Sequence, residues 1–364
     1  MRACDTCLRR AALLGMLGPR LAQVRPPPVG ARPLLALSDD ELIRAVAGSG
    51  ADRLRPALAG FDPAAMLACV DAAGLVSLCG HGNGYPAALA ELEDAPHALF
   101  IRGDADALRL VDETPSVAIV GGRHASAYAL EVAEELGRSM AVAGVPVISG
   151  LALGVDAAAH RGTLAGGGLP IAVLGSGADV PYPRRHIELY DRVAATGAVL
   201  SELPPGTRAA RWTFPARNRI MAALARMTVV VEARDGSGSL ITADFAHQLG
   251  RDLAVVPGRV NTARCAGSNG LLAQGAAVVL RPEDILDCLF HVGERRLPLP
   301  ARIELDEAGR AVLDAVEAGE SPLAGTGLGV KDVRVALGRL EGLGLVRRDG
   351  LGGYERTGLR CERA

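Results

Sequence analysis

Between residues 116 and 280 the chain alternates short apolar, β-rich runs with longer helical stretches, and this alternation is the strongest constraint on its fold. The pattern predicts strands at 116–120, 145–148, 170–174, 198–200, 227–232, 253–256 and 277–280. Helices are expected near 125–143, 154–165, 184–195, 216–224 and 239–249. Since parallel strands need long crossover connections, the alternation predicts an α/β fold with an extended Rossmann-like, doubly wound sheet.

The segments on either side of this region lack its alternation of strands and helices, and we expect them to form smaller units. Residues 1–37 are interpreted as an N-terminal extension and a linker, because Pro26-Pro27-Pro28 is stiff. Residues 38–113 predict a small helical domain of the SAM or helix-hairpin-helix type, and 114–291 the sheet domain. Residues 301–360 predict a winged-helix-like domain, with two helices followed by a hairpin.

Charge is distributed unevenly along the chain. Its 39 basic and 41 acidic residues give a net charge of −2, so a polyanion has to bind to a local patch. Residues 181–226 hold eight arginines and three acids, whereas 31–113 hold six arginines and thirteen acids. Lys331 is the only lysine, which excludes a Schiff-base lysine or a Walker phosphate loop in the sheet domain.

Cysteine usage and hydropathy bear on location and cofactors. Seven scattered cysteines are typical of reduced thiols, so we expect a cytoplasmic protein. Cys4 and Cys7 have a metal-like spacing, but no second Cys or His pair lies nearby in the sequence, so neither a metal nor a cofactor is expected. The apolar run 11–17 is short, lacks a cleavage site and is followed by Gly-Pro-Arg, which argues against a signal peptide, and no run is long enough to span a membrane.

The predicted strands end in loops of small residues, and open α/β sheets bind ligands at the carboxyl ends of their strands. Arg123 lies in the first such loop, just before the N-terminus of a predicted helix, whose free N–H groups could bind an oxyanion. The alternative is a plain strand-to-helix turn with a solvated arginine. The other candidates in these loops are small or hydroxyl residues: Gly121, Gly122, Ser126, Ser149, Gly150, Gly175, Gly177, Ser237, Gly238 and Ser239.

Residues 211–219 combine arginines with aromatic rings in a chain that is only 3% aromatic. The segment contains Trp212, the only tryptophan, and the candidates Arg211, Phe214, Arg217, Asn218 and Arg219. Guanidinium groups neutralise phosphates and rings stack on unpaired bases for about 1–3 kcal/mol each, so the pattern favours single-stranded nucleic acid. The alternative is a helix start whose Trp212 and Phe214 belong to the core.

Several ordered motifs resemble the DNA-processing protein A family (DprA, also called Smf). They are SGLALGVDAAAH from 149, AVLGSGADVPYP from 172, FPARNRIMA from 214 and VVEARDGSGSLITA from 230, continued by VPG from 256 and GSNGLLAQGA from 267. The resemblance implies a non-enzymatic, dimeric, cytoplasmic protein that binds and protects single-stranded DNA. It also implies that the protein helps to load the RecA recombinase during natural transformation.

The same resemblance assigns roles residue by residue. Arg123 would clamp a phosphate beside Ser149 and Gly150, Arg211 would contact a second phosphate, and Phe214 would stack on a base. The pocket wall would be built by Arg217, Asn218 and Arg219. Hydrogen-bond donors would be presented by Ser237, Gly238 and Ser239. The family often has Ser or Thr where Gly122 stands, which removes one hydroxyl contact.

One alternative function comes from acidic and imidazole groups in the sheet domain. Asp156 and His160 lie four residues apart on one helical face, and Glu202 follows a strand. These groups would provide acid–base chemistry in an enzyme acting on a nucleotide or nucleoside phosphate. A capping or packing pair has the same spacing, and the loop at 236–242 lacks a glutamate.

Overall fold

The computed structural model describes residues 2–21, 23, 33–290, 292–295, 297, 305–342, 345–348 and 353–356. Two compact units divide the chain, Met1–Leu297 and Pro298–Ala364. The helices of the first unit are α1 (Asp5–Leu21), α2 (Asp39–Ala47), α3 (Ala51–Ala59), α4 (Pro63–Ala72), α5 (Ala87–Ala90), α6 (Ala107–Glu113), α7 (Ala127–Val142), α8 (Val155–Ala165), α9 (Ile187–Thr196), α10 (Thr213–Leu224), α11 (Gly238–Gln248), α12 (Ala266–Ala273) and α13 (Pro282–Leu289).

A nine-stranded sheet forms the centre of the first unit. Its strands are β1 (Val76–Leu78), β2 (Leu99–Gly103), β3 (Val117–Val120), β4 (Val147–Ser149), β5 (Pro170–Val173), β6 (Ala198–Ser201), β7 (Met227–Val230), β8 (Asp252–Val255) and β9 (Ala277–Val278). They are arranged in the order β1-β2-β6-β5-β4-β3-β7-β8-β9. The seven neighbouring strands from β6 through β3 to β9 in this order are all parallel. The predicted α/β fold with a doubly wound parallel sheet is confirmed.

Helices cover both faces of this sheet, which explains the unbroken apolar runs. Val117 and Ile119 pack against α7 and α8, whereas Ala118 and Val120 face a second cluster that includes residues of α10 and α11. Because successive side chains of a strand point to opposite faces, both sets are removed from water. The four residues of β3 are at most 1% exposed, so the sheet is a fixed support for the loops at its edges.

The structure differs from the prediction before residue 114. Helices α2 to α5 supply the helical content expected there, but β1 and β2 join the central sheet, and β2 pairs antiparallel with β6 from Phe100–Ser201 to Gly103–Ala198. Residues 38–113 are therefore not a separate helical domain. Short antiparallel additions lack the crossover pattern by which the other strands were predicted.

Helix α1 also departs from the prediction that residues 1–37 are an extension and a linker. Its Leu13 and Leu17 are fully buried in a cluster with Leu42 and Ile43 of α2. The predicted linker Pro26-Pro27-Pro28 lies outside the described residues. Within the described ranges, no helix combines the length and apolarity needed to cross a bilayer.

The second unit has the helices α14 (Glu307–Glu317), α15 (Pro322–Gly325) and α16 (Val330–Gly342). Two antiparallel strands follow, β10 (Val346–Arg348) and β11 (Tyr354–Arg356). Val333, Leu337 and Leu340 of α16 pack against Val312 of α14, whereas Val330 is exposed. This order of elements fits a winged helix, and that identification stays a prediction.

Candidate nucleic-acid interface

The loops after β3, β4 and β5 meet the start of α10 at the carboxyl edge of the sheet and enclose a cleft of about 60 Å³. We call it the carboxyl-edge cleft. It is lined by Arg123, Gly150, Ala152, Leu153, Leu174, Gly175, Tyr182, Pro183, Phe214 and Arg217. Pockets that enclose a small molecule usually measure about 300–1,000 Å³. This cleft therefore admits part of a ligand that lies across its mouth.

Arg123, Phe214 and Tyr182 form the polar and aromatic part of the cleft. The Arg123 guanidinium lies 4.9 Å from the centre of the Phe214 ring, and the Tyr182 ring lies 5.5 Å from Phe214 at an angle of 42°. Arg123 and Tyr182 are exposed, and Phe214 is half-buried. One positive charge and two rings are thus available side by side at the surface, as the sequence predicted for Arg123 and Phe214.

The loop that carries Arg123 is shaped by contacts behind it. The Gly122 N–H donates to the Glu232 carbonyl oxygen at 2.6 Å, and a Cβ at Gly121 would lie 2.6 Å from Cγ2 of Val155. Ser126 caps α7 and donates its N–H and its hydroxyl to the Glu232 carboxylate at 2.9 and 2.7 Å. Ser126 therefore holds the loop and does not offer a free hydroxyl to a ligand.

Arg217 lies inside the cleft wall and joins two of the loops. It donates to the carbonyl oxygens of Gly150, at 2.6 Å, and of Val173, and its guanidinium lies 3.6 Å from the Asp156 carboxylate. Asp156 in turn accepts the Gly150 N–H at 3.2 Å. Burial raises the pKa of Asp156 and lowers that of Arg217, and each opposes the shift of the other. The pair positions the loop after β4.

Asn218 and Arg219 are also internal. The Asn218 side-chain amide donates to the Gly238 carbonyl oxygen at 2.9 Å. Arg219 donates to both Glu202 carboxylate oxygens at 2.9 and 2.7 Å and lies 2.9 Å from the Asp94 carboxylate. Burial alone lowers the pKa of Arg219, but Glu202 and Asp94 raise it above the usual value. The side chains of both residues are therefore engaged within the protein, behind the cleft.

Ser149 differs from the prediction most clearly. Its hydroxyl is fully buried and donates to the Ile119 carbonyl oxygen at 2.7 Å, so it links β4 to β3. Gly175 has a steric function, since a Cβ there would lie 2.8 Å from Oγ1 of Thr213 and 3.3 Å from the Phe214 ring. The Gly177 N–H donates to the Thr207 carbonyl oxygen at 2.8 Å.

Two predicted groups lie outside the cleft lining. Arg211 is exposed three residues before Phe214. Ser237 and Ser239 hydrogen-bond to each other at 2.8 Å beside the exposed Gly238. Neither group lines the cleft, although Gly238 is connected to it through Asn218 and Arg217.

Sequence reasoning missed Tyr182 and its neighbour Pro183 as lining residues. The signal was present, because Tyr182 stands between two prolines and before two arginines in a chain with few aromatics. Five exposed arginines in the same segments of chain have no ion-pair partner among the described residues. Among the ion pairs formed by the described residues, none involves the exposed side chains of Arg123, Arg184, Arg185, Arg208 or Arg211.

Comparison with known proteins identifies the family. The sequence model described as DNA recombination-mediator protein A matches residues 77–290, which include the whole cleft and the strands β2 to β9. The chain belongs to the DNA recombination-mediator protein A family.

Curated members of this family share the sheet region. A putative DNA processing protein DprA of Mycobacterium tuberculosis is 43% identical over 227 residues, which cover 61% of this chain and 58% of that protein. DprA of Streptococcus pneumoniae is 41% identical over 202 residues, covering 56% of this chain and 70% of that protein. The chain thus spans less than two thirds of the mycobacterial relative.

Solved structures of the family agree with the fold. The structure of Streptococcus pneumoniae DprA superposes with a TM-score of 0.63 at 30% identity and covers 80% of this chain and 100% of that chain. A Helicobacter pylori DprA structure, described by its single-stranded DNA binding mode, has a TM-score of 0.53 at 30% identity. It covers 59% of this chain and 95% of that chain.

Proposed function

We propose that this protein binds single-stranded DNA across the carboxyl-edge cleft and acts as a DNA-processing protein in recombination. The observation that carries the proposal is the position of the Arg123 guanidinium 4.9 Å from the Phe214 ring, with Tyr182 on the same surface. A cation for a phosphate and rings for a base are what an unpaired strand requires. The relationship to DprA proteins, one of them described by its single-stranded DNA binding mode, supports the same function.

The aromatic rings at the cleft favour single-stranded over duplex DNA. Stacking on Phe214 or Tyr182 requires a base whose face is exposed, and paired bases are covered by their neighbours in the helix. The unpaired arginines near the cleft provide attraction to the backbone without sequence preference. We therefore infer binding with little sequence specificity and a strong dependence on salt.

We further propose that the protein is a cytoplasmic homodimer that helps to load RecA on the bound strand during natural transformation. The family resemblance supports this role. A surface suitable for a second copy is the edge strand β9, where Val278 in the strand and Leu280 just after it are exposed. Light scattering after gel filtration tests the dimer, and Leu280→Arg is expected to shift it towards a monomer if this edge is the interface.

The alternative of a nucleotide-processing enzyme is less well supported, and we propose that the protein binds without catalysis. Asp156 is committed to Arg217, Glu202 to Arg219, and His160 is fully buried. A general acid or base has to reach the proton that it transfers, and these groups face the interior. Release of inorganic phosphate from nucleoside monophosphates by the purified protein, lost in Asp156→Asn, would favour the enzyme.

The binding proposal is tested by fluorescence anisotropy with labelled single-stranded and duplex DNA over a salt series. We expect tighter binding of the single strand and a linear fall of log affinity with log salt, with a slope of about −0.7 for each neutralised phosphate. Arg123→Ala should weaken binding and reduce that slope by about 0.7.

Arg226→Ala is the matched control. Arg226 is exposed and directly precedes β7, so it lies at the amino edge of the sheet, opposite the cleft. This variant should bind like the wild type. Equal affinity for duplex and single strand, or a salt slope unchanged in Arg123→Ala, would contradict the proposal.

A further inference from the structure

Three thiols and one imidazole converge at the start of α1, far from the carboxyl-edge cleft in the sequence. The ligand atoms of Cys4, Cys7, Cys79 and His81 all lie within 4.8 Å of one another. Cys4 directly precedes α1 and Cys7 lies in its first turn, whereas Cys79 and His81 belong to the turn after β1. The fold thus supplies the second pair of ligands that the sequence around Cys4 and Cys7 lacks.

The distances fit tetrahedral metal coordination. The sulfur atoms of Cys4 and Cys7 lie 3.4 and 3.3 Å from Nδ1 of His81. A tetrahedral zinc ion with Zn–S near 2.3 Å and Zn–N near 2.0–2.1 Å places sulfur and nitrogen ligands roughly 3.6 Å apart. It places two sulfur ligands roughly 3.8 Å apart. Small adjustments of side-chain torsions would bring the four atoms to these separations.

Hydrogen bonds from the backbone fix the geometry of the cluster. The Cys4 N–H donates to the Cys79 sulfur at 3.3 Å, and the Ala3 N–H donates to the Ser77 hydroxyl at 3.2 Å. The N-terminus of α1 adds the positive end of a helix dipole beside Cys7. Cys7 and Cys79 are buried, whereas His81 is exposed, which leaves a path by which an ion can enter.

We propose that Cys4, Cys7, Cys79 and His81 bind a zinc ion. Three thiolates and an imidazole form a soft set of four ligands with tetrahedral preference, which selects zinc. Because all four positions are taken by the protein, the site is structural and not catalytic. This reverses the expectation that the chain binds no metal. A disulfide between two of the cysteines would leave the third thiol and His81 without a reason for their convergence.

The site would anchor one end of α1. Towards the other end of this helix, a Cβ at Gly15 would lie 3.4 Å from Pro204 and one at Gly18 would lie 4.0 Å from Trp212, two residues before Phe214 of the cleft. Leu13, Leu17 and Trp212 share one apolar cluster. Loss of the metal should therefore loosen α1 and lower the thermal stability of the first unit. The proposal is independent of the proposed function, because it concerns metal binding and folding alone.

The test is elemental analysis of the full-length protein, produced in zinc-supplemented medium with a tag that contains no histidine and purified under reducing conditions. We expect zinc equimolar with the chain in the wild type. Cys4→Ser, Cys79→Ser and His81→Asn should lose it. Cys69→Ser and Cys288→Ser are matched controls, since these two cysteines are exposed and outside the cluster, and they should retain it. Zinc at background level in the wild type, iron in its place, or zinc retained in all three cluster variants would overturn the proposal.

A second measurement does not depend on folding of the variants. Wild-type protein stripped of metal and loaded with Co²⁺ should show the visible absorption of a tetrahedral cobalt ion and a near-ultraviolet charge-transfer band from thiolates. The same stripping should lower Tm by about 5 °C or more, and added zinc should restore it. The conservative variant His81→Cys should keep the metal. A featureless cobalt spectrum together with an unchanged Tm would refute the site.

Discussion

The Arg123 guanidinium lies 4.9 Å from the centre of the Phe214 ring, although one residue follows β3 and the other is the second residue of α10. Gly175 makes this arrangement possible, because its missing side chain leaves room for the Phe214 ring. A phosphate bound to Arg123 would therefore bring its neighbouring base close to Phe214. The contact thus joins the charged and the stacking halves of the proposed interface.

Phe214→Ala should weaken binding of single-stranded DNA by about 5- to 150-fold, which corresponds to the loss of about 1–3 kcal/mol of stacking. Phe214→Tyr keeps the ring and should bind within a small factor of the wild type. Anisotropy titrations at one salt concentration measure both. Wild-type affinity in Phe214→Ala would show that the ring serves only packing.

Arg219→Ala should destabilise the first unit by about 3–5 kcal/mol, because the buried Glu202 carboxylate would lose its partner. Urea unfolding followed by circular dichroism measures the change. Arg226→Ala is again the control, since its ion pair with Asp252 is exposed and spans 3.8 Å, and it should cost less than about 1 kcal/mol. Similar losses in both variants would contradict the supporting role of Arg219.

Gly162→Ala should destabilise the protein by about 1–3 kcal/mol or more, because α7 and α8 pack backbone to backbone at this residue. A Cβ there would lie 1.8 Å from the Glu134 carbonyl oxygen. One of the two glycines of α12, Gly270, provides the control. Gly270→Ala meets nothing within 4 Å and should be neutral or stabilising by up to about 1 kcal/mol. Thermal unfolding measures the change in stability of both variants. An unchanged stability of Gly162→Ala would be inconsistent with this helix contact.

His160 should make the protein sensitive to acid. Burial lowers the pKa of His160 to about 3, whereas a histidine in the unfolded chain titrates near 6.5. Below pH ~6.5 the unfolded state therefore binds a proton that buried His160 does not bind. The free energy of unfolding then decreases as the pH is lowered from ~6.5 towards 3. At pH ~5 the loss from this group is about 2 kcal/mol.

The measurement for His160 is urea unfolding at about pH 7.5 and pH 5. His160→Gln should reduce the difference in unfolding free energy between the two conditions, whereas the exposed His247→Gln should leave it unchanged. An identical pH dependence in wild type and His160→Gln would exclude the effect.

Much of the fold could be predicted because its signals are local. The strands β3 to β7 are buried on both faces, and each is followed by a helix or a loop with clear turn residues. Strands β1 and β2 gave no such pattern, because they are antiparallel and lie among helices without crossover connections. Their position depends on pairing between Phe100 and Ser201, residues distant in the sequence.

The site was predictable in its composition and less so in the orientation of its side chains. Arg123 and Phe214 lie where their types suggested, whereas Arg217 points to the Gly150 carbonyl oxygen and Ser149 to that of Ile119. An arginine next to glycine loops satisfies either a ligand or backbone carbonyls, and only tertiary contacts decide which. Tyr182 was missed for the converse reason, because its exposure at the cleft follows from the packing of other loops.

The antiparallel pairing of β2 with β6 has a mechanical consequence. A hinge that swung the N-terminal helices away from the sheet would have to break the ladder between Phe100–Gly103 and Ala198–Ser201 and open a buried core. Domain closure is therefore unavailable to this part of the molecule. Any tightening around a bound strand has to come from rotation of exposed side chains such as Arg123 and Tyr182 and from small movements of the loops that carry them.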